Sequence, residues 1–120
     1  MSNAREIVEN FYAALVERDF ASARRCLAED LLFIGLFKTD RSADDYLADL
    51  EQLLQLTVRL EVKKIVVEGS DAVVLYELET RGPAAATTLV TEWHQMHDGE
   101  IARIQSVFDG RPFAAMYGAG

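Results

Sequence analysis

Residues 89–108 read LVTEWHQMHDGEIARIQSVF, and this stretch carries the most structural information in the chain. Asp98-Gly99 lies between two alternating runs, which is the strongest local signal for a β-hairpin with a two-residue loop. Both loop positions need a positive φ, and Gly and Asp tolerate it. With such a loop, His97 faces Glu100, and the pairing of all the remaining residues follows.

The two-residue loop divides the side chains of this hairpin between two faces. One face is predicted to pair Leu89 with Phe108, Thr91 with Ser106, Trp93 with Ile104 and Gln95 with Ala102. The other is predicted to pair Val90 with Val107, Glu92 with Gln105, His94 with Arg103 and Met96 with Ile101. The first face has no carboxylate, histidine or cysteine, so we expect it to line the core or a pocket and the second to face outward.

Composition sets the class of protein. The chain has 120 residues, half of them hydrophobic, and residues 1–120 are expected to form one domain. A net charge of -8 argues against binding to nucleic acid or to anionic membranes, which both require basic patches. No apolar run approaches the roughly 20 residues of a membrane span, and no signal-peptide pattern is present, so a cytoplasmic protein is expected. Residues 1–3 resemble the remnant of an expression tag, although Asn3 also suits a helix cap.

Helical patterns occupy the first half of the chain. Asn3 and Glu6 form a capping-box pattern before a helix over residues 4–17. Asp19 is expected to cap a short second helix, and Ser42 begins a third that ends near Leu56. Between the second and third helices, residues 31–37 form an apolar run that predicts a buried strand, with Gly35 marking a bend or bulge.

Strand patterns occupy the second half. Alternation over residues 57–67 changes phase near Lys63-Lys64, which predicts a β-bulge there. Residues 72–80 form the next strand, and the opening hairpin supplies the last two. The order of elements predicts an α+β fold in which a curved antiparallel sheet carries the helices on one face.

The chain resembles the nuclear transport factor 2-like superfamily and, within it, the SnoaL-like group. The matching segments are IVENFYAALVERDF (7–20), ARRCLAED (23–30), SADDYLADLEQLL (42–54) and HDGEIARIQSVFD (97–109). The resemblance implies a sheet wrapped around a long helix as a cone with an internal apolar cavity, often in a homodimer. Because this fold hosts many functions, it does not select one.

Two catalytic patterns of that superfamily are not matched here. The positions that resemble the catalytic residues of ketosteroid isomerases hold Phe11, Trp93 and Gly35. Those that resemble the residues of limonene epoxide hydrolases hold Trp93, Gln95 and Ser106. Neutral amides and hydroxyls orient ligands but do not act as general acids or bases near neutral pH, so neither activity is predicted.

The first functional hypothesis is binding of a small, mostly apolar, ring-containing metabolite in the cavity. Its predicted ligand-binding residues are Trp93, Gln95, Ser106, Tyr76, Phe11 and Tyr12. No cofactor or metal is expected, since the two histidines are not part of a ligand pattern. The lone Cys26 is expected to be a buried structural thiol rather than a nucleophile.

Two further hypotheses remain open. In one, the protein is an interaction module whose outer sheet face forms a dimer through Val90, His94, Met96, Ile101 and Val107. In the other, it is an isomerase, polyketide cyclase or dehydratase that uses Glu92 and His94, or Asp109. Use of Glu92 and His94 requires a three-residue loop, whose slip in register turns His94 inward. Asp109 would act from the cavity mouth, although its position also suits a cap of the turn before Arg111.

Overall fold

The computed structural model describes residues 3–117, with side chains through residue 114. Residues 1 and 2 of the predicted tag remnant lie outside the described residues. The helices are α1 (Ala4–Val16), α2 (Phe20–Arg25) and α3 (Ala43–Gln55). The strands are β1 (Leu27–Ile34), β2 (Thr39–Asp40), β3 (Thr57–Glu68), β4 (Asp71–Thr80), β5 (Ala86–His97) and β6 (Glu100–Val107), and 3₁₀ turns occupy Gly82–Ala84 and Arg111–Tyr117.

The helices begin where the capping residues predict. The side chains of Asn3, Asp19 and Ser42 each accept a hydrogen bond from the backbone N–H three residues later, at 2.9, 3.1 and 3.1 Å. Each bond satisfies one of the donors that a helix leaves free in its first turn. The predicted starts of all three helices are therefore confirmed.

The strands form one six-stranded sheet in the order β2-β1-β6-β5-β4-β3. Strands β3 to β6 are an antiparallel meander, and β1 joins it in parallel to β6. The sheet is curved, and its inner face packs against α1 and α3. The predicted α+β cone is thus confirmed.

The first strand differs from its prediction. Strand β1 covers residues 27–34, not 31–37, and the chain turns at Gly35, whose N–H donates to the carbonyl of Lys38 at 2.9 Å. A Cβ on Gly35 would lie 3.0 Å from the carbonyl oxygen of Lys38 and 2.7 Å from Cε2 of Phe33, so a larger residue would fit only if these neighbours shifted. Strand β2 is only two residues long, too short for any periodic pattern to indicate it.

The hairpin has the predicted two-residue turn but not the predicted register. Asp98 and Gly99 have φ values of 51° and 78°, as the turn type demands, and His97 faces Glu100. One step later a β-bulge intervenes, because Met96 pairs with Ile101 while Gln95 pairs with Arg103, which leaves Ala102 as the extra residue.

The bulge moves Ile104 and Ser106 to the face that carries Glu92 and His94, and this face is the inner one, contrary to the prediction. Glu92 now lies opposite Ser106, His94 opposite Ile104 and Trp93 opposite Gln105. The physical reason is the burial of both Ile101 and Ile104, which are 0% exposed, although simple alternation would send one of them outward. A bulge between them is the way in which both reach the core.

The predicted bulge at Lys63 is confirmed, since Val62 pairs with Tyr76 and Lys64 with Leu75.

Candidate functional site

A pocket of about 790 Å³ opens between α3 and the inner face of the sheet. Most of its wall is apolar or aromatic, including Phe33, Leu53, Val90, Phe108 and Phe113. Apart from Gln52 and Gln55 of α3, the polar side chains on its wall fall into two groups. One contains Tyr46, Tyr76, Glu92 and Ser106, and the other contains Lys38, Asp40 and Asp49.

Glu92 is the buried carboxyl of the first group, with 5% of its surface exposed. The hydroxyl of Tyr12 donates to its Oε1 at 2.6 Å. The hydroxyls of Ser106 and Tyr76 also approach the carboxyl and favour its charged form. Strands β4, β5 and β6 and helix α1 therefore place three hydroxyl groups around one acid.

Burial raises the pKa of Glu92 above its usual value of 4.5, and the hydroxyls of Tyr12, Ser106 and Tyr76 oppose that shift. A carboxyl with a raised pKa at an apolar pocket wall exchanges protons closer to neutral pH than an exposed one. Burial and the charge of Glu92 also raise the pKa of Tyr12, Tyr76 and Tyr46 well above 10, so these phenols stay protonated and donate hydrogen bonds.

His94 lies behind Glu92 rather than on the pocket wall. It is 0% exposed, and its Nε2 lies 2.8 Å from the Tyr12 hydroxyl. Burial lowers the pKa of His94 to about 3, so the ring is neutral at physiological pH. Because Tyr12 donates to Glu92, Nε2 of His94 carries the hydrogen that Tyr12 accepts. The arrangement is a relay of hydrogen bonds from His94 through Tyr12 to Glu92.

The second polar group lies on β2, α3 and the turn before them. Asp40 has 4% of its side chain exposed, and its Oδ1 lies 3.7 Å from Nζ of Lys38. Nζ of Lys38 also donates to Oδ1 of Asp49 at 3.0 Å. Asp49 follows Tyr46 by three residues and so shares the inward stripe of α3, a spacing that could have identified it from the sequence. The sequence offers no comparable signal for Asp40.

Trp93 and Gln95 do not line the pocket. Their predicted inward orientation is wrong because the bulge at Ala102 places the buried Ile104 opposite His94 and not opposite Trp93. Trp93 is 40% exposed on the outer face, where its Nε1 donates to Asp71 at 3.0 Å. The Oε1 of Gln95 accepts from Arg103 at 3.2 Å.

The other predicted ligand-binding residues lie inside. Ser106 and Tyr76 line the pocket beside Glu92. Phe11 and Tyr12 are buried behind the wall, where Phe11 packs against Tyr12 with ring centroids 5.4 Å apart. Of these four side chains, two can therefore touch a ligand directly, while the helix residues support the wall.

Asp109 is not one of the residues that line the pocket, and half of its side chain is exposed. Its Oδ1 accepts from the backbone N–H of Arg111 at 3.1 Å, and its Oδ2 pairs with the guanidinium at 2.6 Å. These bonds lower the pKa of Asp109 to about 2. Asp109 is therefore the turn cap that its position before Arg111 indicates.

The same bulge divides the predicted interaction surface between the two faces. Val90, His94 and Ile101 are buried on the inner face, where Met96 packs partly buried against the core, whereas Val107 is 60% exposed on the outer face. The outer face instead exposes Leu89 and Trp93 beside Val107. This correction has the same cause as that of Trp93.

Cys26 lies in a second, more open cleft beside α1 and α2. Its thiol donates to the carbonyl of Ser22 at 3.6 Å, and partial burial raises its pKa above 9.0. A raised pKa keeps the thiol protonated, which suits a structural residue and not a nucleophile.

Two further observations concern the described residues alone. Between residues 3 and 117, no helix has the length and apolar character needed to cross a membrane. The same part of the chain contains no cluster of three or more His, Cys, Asp or Glu side chains arranged for a metal ion.

Comparison with known proteins identifies relatives of this fold. The family model described as the SnoaL-like domain matches residues 8–104. A nuclear transport factor 2-like protein of unknown function from Cytophaga hutchinsonii is 26% identical, with a TM-score of 0.82 over 93% of this chain and 95% of that one. No curated protein sequence matches the chain.

Two similar structures have named chemistries. A protein from Sinorhizobium meliloti, described as a candidate polyketide cyclase, is 20% identical, with a TM-score of 0.76 over 84% of this chain and 93% of that one. An epoxide hydrolase from M. tuberculosis is 21% identical, with a TM-score of 0.75 over 98% of this chain and 90% of that one. At these identities, the two structures show a shared fold.

Proposed function

Because this chain belongs to the SnoaL-like domain family, we propose that its pocket binds a small, mostly apolar, ring-containing metabolite and that Glu92 transfers protons on it. The observation that carries this proposal is one buried carboxyl, surrounded by hydroxyl groups, on the wall of an otherwise apolar pocket. The pocket volume of about 790 Å³ is in the range of small-molecule sites.

The chemistry of Glu92 supports proton abstraction from carbon next to a carbonyl group. Isomerases, cyclases and dehydratases share that step, in which a carboxylate takes a proton and an oxygen gains electron density. Tyr76 and Ser106 line the same wall and offer hydroxyl groups to the ligand. Tyr12 and His94, which lie behind the wall, act by holding Glu92 in position.

The test uses 2-tetralone, a bicyclic ketone with acidic C–H bonds next to its carbonyl. The protein is incubated with 2-tetralone in D₂O, and deuterium incorporation is followed by NMR above the buffer background. We expect wild-type protein to accelerate exchange and Glu92→Gln to lose at least 100-fold of that acceleration, since general bases contribute about 10² to 10⁴.

The matched control is Glu29→Gln, the same substitution at an exposed position on β1. It should exchange deuterium at the wild-type rate. Exchange in Glu92→Gln equal to that of the control would contradict the role of Glu92. Absence of 2-tetralone binding to wild-type protein, measured by saturation-transfer NMR, would count against the pocket as a site for ring ketones.

A homodimer through the outer sheet face is the second part of the proposal. It is supported by Leu89, Trp93 and Val107, which are 54%, 40% and 60% exposed on that face. Neighbouring exposed apolar side chains are typical of contact surfaces.

We also propose a cytoplasmic location, for which the support is a single cysteine that forms no disulfide.

A further inference from the structure

We propose that Asp40 is a second catalytic acid of the pocket, which holds a proton shared with Asp49 and donates it to the substrate oxygen while Glu92 removes a proton from carbon. This inference rests on the proposed function and adds a proton donor to the same pocket. Both carboxyl groups of the pair line the pocket wall together with Glu92.

The first argument is the hydrogen bonding of Asp40. Its side chain is only 4% exposed, yet no N–H or O–H group among the described residues donates to its Oδ2. The group that approaches it is the carboxyl of Asp49. Two carboxyl groups are both acceptors when ionised, so they form a hydrogen bond only if one of them carries a proton.

The second argument is the balance of charge around Asp40. Its neighbours are Lys38 on the preceding turn and Asp45, Tyr46 and Asp49 on α3. Lys38 favours the ionised form, whereas burial and the carboxylates of Asp49 and Asp45 favour the protonated form. The protonated form prevails to a higher pH than usual, since the pKa of Asp40 is raised from 3.8 to about 6.

Lys38 explains which partner keeps the proton. Its ammonium group donates to Asp49 at 3.0 Å but lies 3.7 Å from Asp40. The shorter contact stabilises negative charge on Asp49, and Asp49 is also the more exposed of the two, with 36% of its side chain accessible. The proton therefore resides on Asp40, the buried member on the pocket wall.

The proposed step balances as an enolisation. Glu92 takes the proton from the carbon next to the carbonyl, and the electrons of that C–H bond form a C=C bond. The π electrons of the carbonyl move to oxygen and form a bond to the proton of Asp40. The products are an enol, protonated Glu92 and ionised Asp40. The proton on Glu92 then exchanges with a solvent deuteron, and the reverse step transfers this deuteron to carbon and gives the labelled ketone.

Direct titration tests the shared proton without any ligand. In protein labelled with ¹³C at aspartate carboxyl groups, we expect Asp40 to titrate near pH 6. Asp49→Asn should lower that midpoint by at least one pH unit, because it removes a negative charge and supplies an amide donor. The matched control Asp45→Asn, one turn away on α3, should shift it much less. A midpoint near 4 in wild-type protein would overturn the proposal.

Deuterium exchange of 2-tetralone tests the catalytic role. Asp40→Asn should lower the exchange rate at least tenfold at pH 5.5. In wild-type protein the rate should fall as pH rises above about 6, and in Asp49→Asn this fall should begin at lower pH. Exchange in Asp40→Asn at the wild-type rate, or an unchanged pH profile in Asp49→Asn, would overturn the proposal.

The two proposals fail in different ways. Loss of exchange on Glu92→Gln but not on Asp40→Asn would leave the proposed function in place and remove Asp40 from it. No exchange by wild-type protein would contradict both roles, even if Asp40 titrates near pH 6. A midpoint near 4 with normal exchange would overturn the proposal for Asp40 and leave the proposed function in place.

Discussion

Glu92 and His94 are neighbours on the inner face of β5, and burial acts on their ionisation in opposite directions. It raises the pKa of the acid and lowers that of the base, because in both cases the neutral form is easier to keep away from water. Only Glu92 reaches the pocket. The pair is therefore an acid on the wall with a neutral ring behind it, and not two groups that act on one substrate.

The lowered pKa of His94 predicts acid sensitivity. In the folded protein the ring titrates at about 3, whereas in the unfolded chain it titrates near 6.5. Below pH 6.5 the unfolded state binds a proton that the folded state does not, so stability falls with decreasing pH. This residue should remove about 2 kcal/mol of the free energy of unfolding between pH 7.5 and pH 5.

The test compares wild-type protein with His94→Gln by urea unfolding at the two pH values. Glutamine keeps an N–H donor for Tyr12 but does not titrate, so the variant should lose about 2 kcal/mol less on acidification. His97→Gln is the matched control, because His97 is 80% exposed in the hairpin turn. Equal losses in wild-type protein and His94→Gln would contradict the buried neutral ring.

At the scale of the secondary-structure elements, the site depends on a single inserted residue. Ala102 is unpaired between Ile101 and Arg103, and it brings Ile104 and Ser106 of β6 onto the same face as His94 and Glu92 of β5. Without it, continuous pairing from the turn would place Glu92 opposite Gln105. The site is thus created by a bulge next to it, as is common in sheets that carry functional residues.

Deletion of Ala102 tests this dependence. The deletion forces either Ile104 out of the core or the whole of β5 into the opposite register, and each exposes apolar surface or buries unpaired polar groups. We expect the deletion variant to lose cooperative thermal unfolding, as measured by circular dichroism.

Ala102→Ser serves as the control for this deletion, since it keeps the chain length and hence the bulge. It should unfold within about 1 kcal/mol of wild-type protein. A deletion variant that unfolds as cooperatively as Ala102→Ser would show that the bulge is not required for the fold.

At the scale of the whole molecule, the two faces of the sheet have different roles. The inner face carries the core and the pocket, whereas the outer face exposes Leu89, Trp93 and Val107. Trp93 also stacks under Arg103, whose guanidinium carbon lies 5.3 Å from the ring centroid. With a net charge of -8, two copies repel each other unless apolar contact outweighs the repulsion.

The proposed homodimer is tested by Val107→Glu. In a two-fold symmetric contact the substitution adds a carboxylate to both copies, next to apolar surface. Wild-type protein should show twice the chain mass of 13.4 kDa in light scattering, and the variant should show the mass of one chain. Val16→Glu, at a 48% exposed position on α1, should remain dimeric. A monomeric wild-type protein would contradict the dimer.

The sequence by itself determined most of the elements and their order, apart from the bounds of β1 and the two-residue β2. Helix caps at Asn3, Asp19 and Ser42, the turn at Asp98-Gly99 and the bulge at Lys63 were all readable, since each depends on the conformational preferences of neighbouring residues. The order of these elements then allowed few topologies, and the resemblance to the SnoaL-like group pointed to one of them.

Only the tertiary structure decided which face of the hairpin lines the pocket. Ile101 and Ile104 are an odd number of residues apart, the same phase change that reveals the bulge at Lys63, but their burial depends on packing against distant elements. The N–H of Ile101 donates to the carbonyl of Cys26 at 2.8 Å, and Ile101 pairs with Leu27 on β1. Contacts between strands more than 70 residues apart set this register, and local alternation carries no information about them.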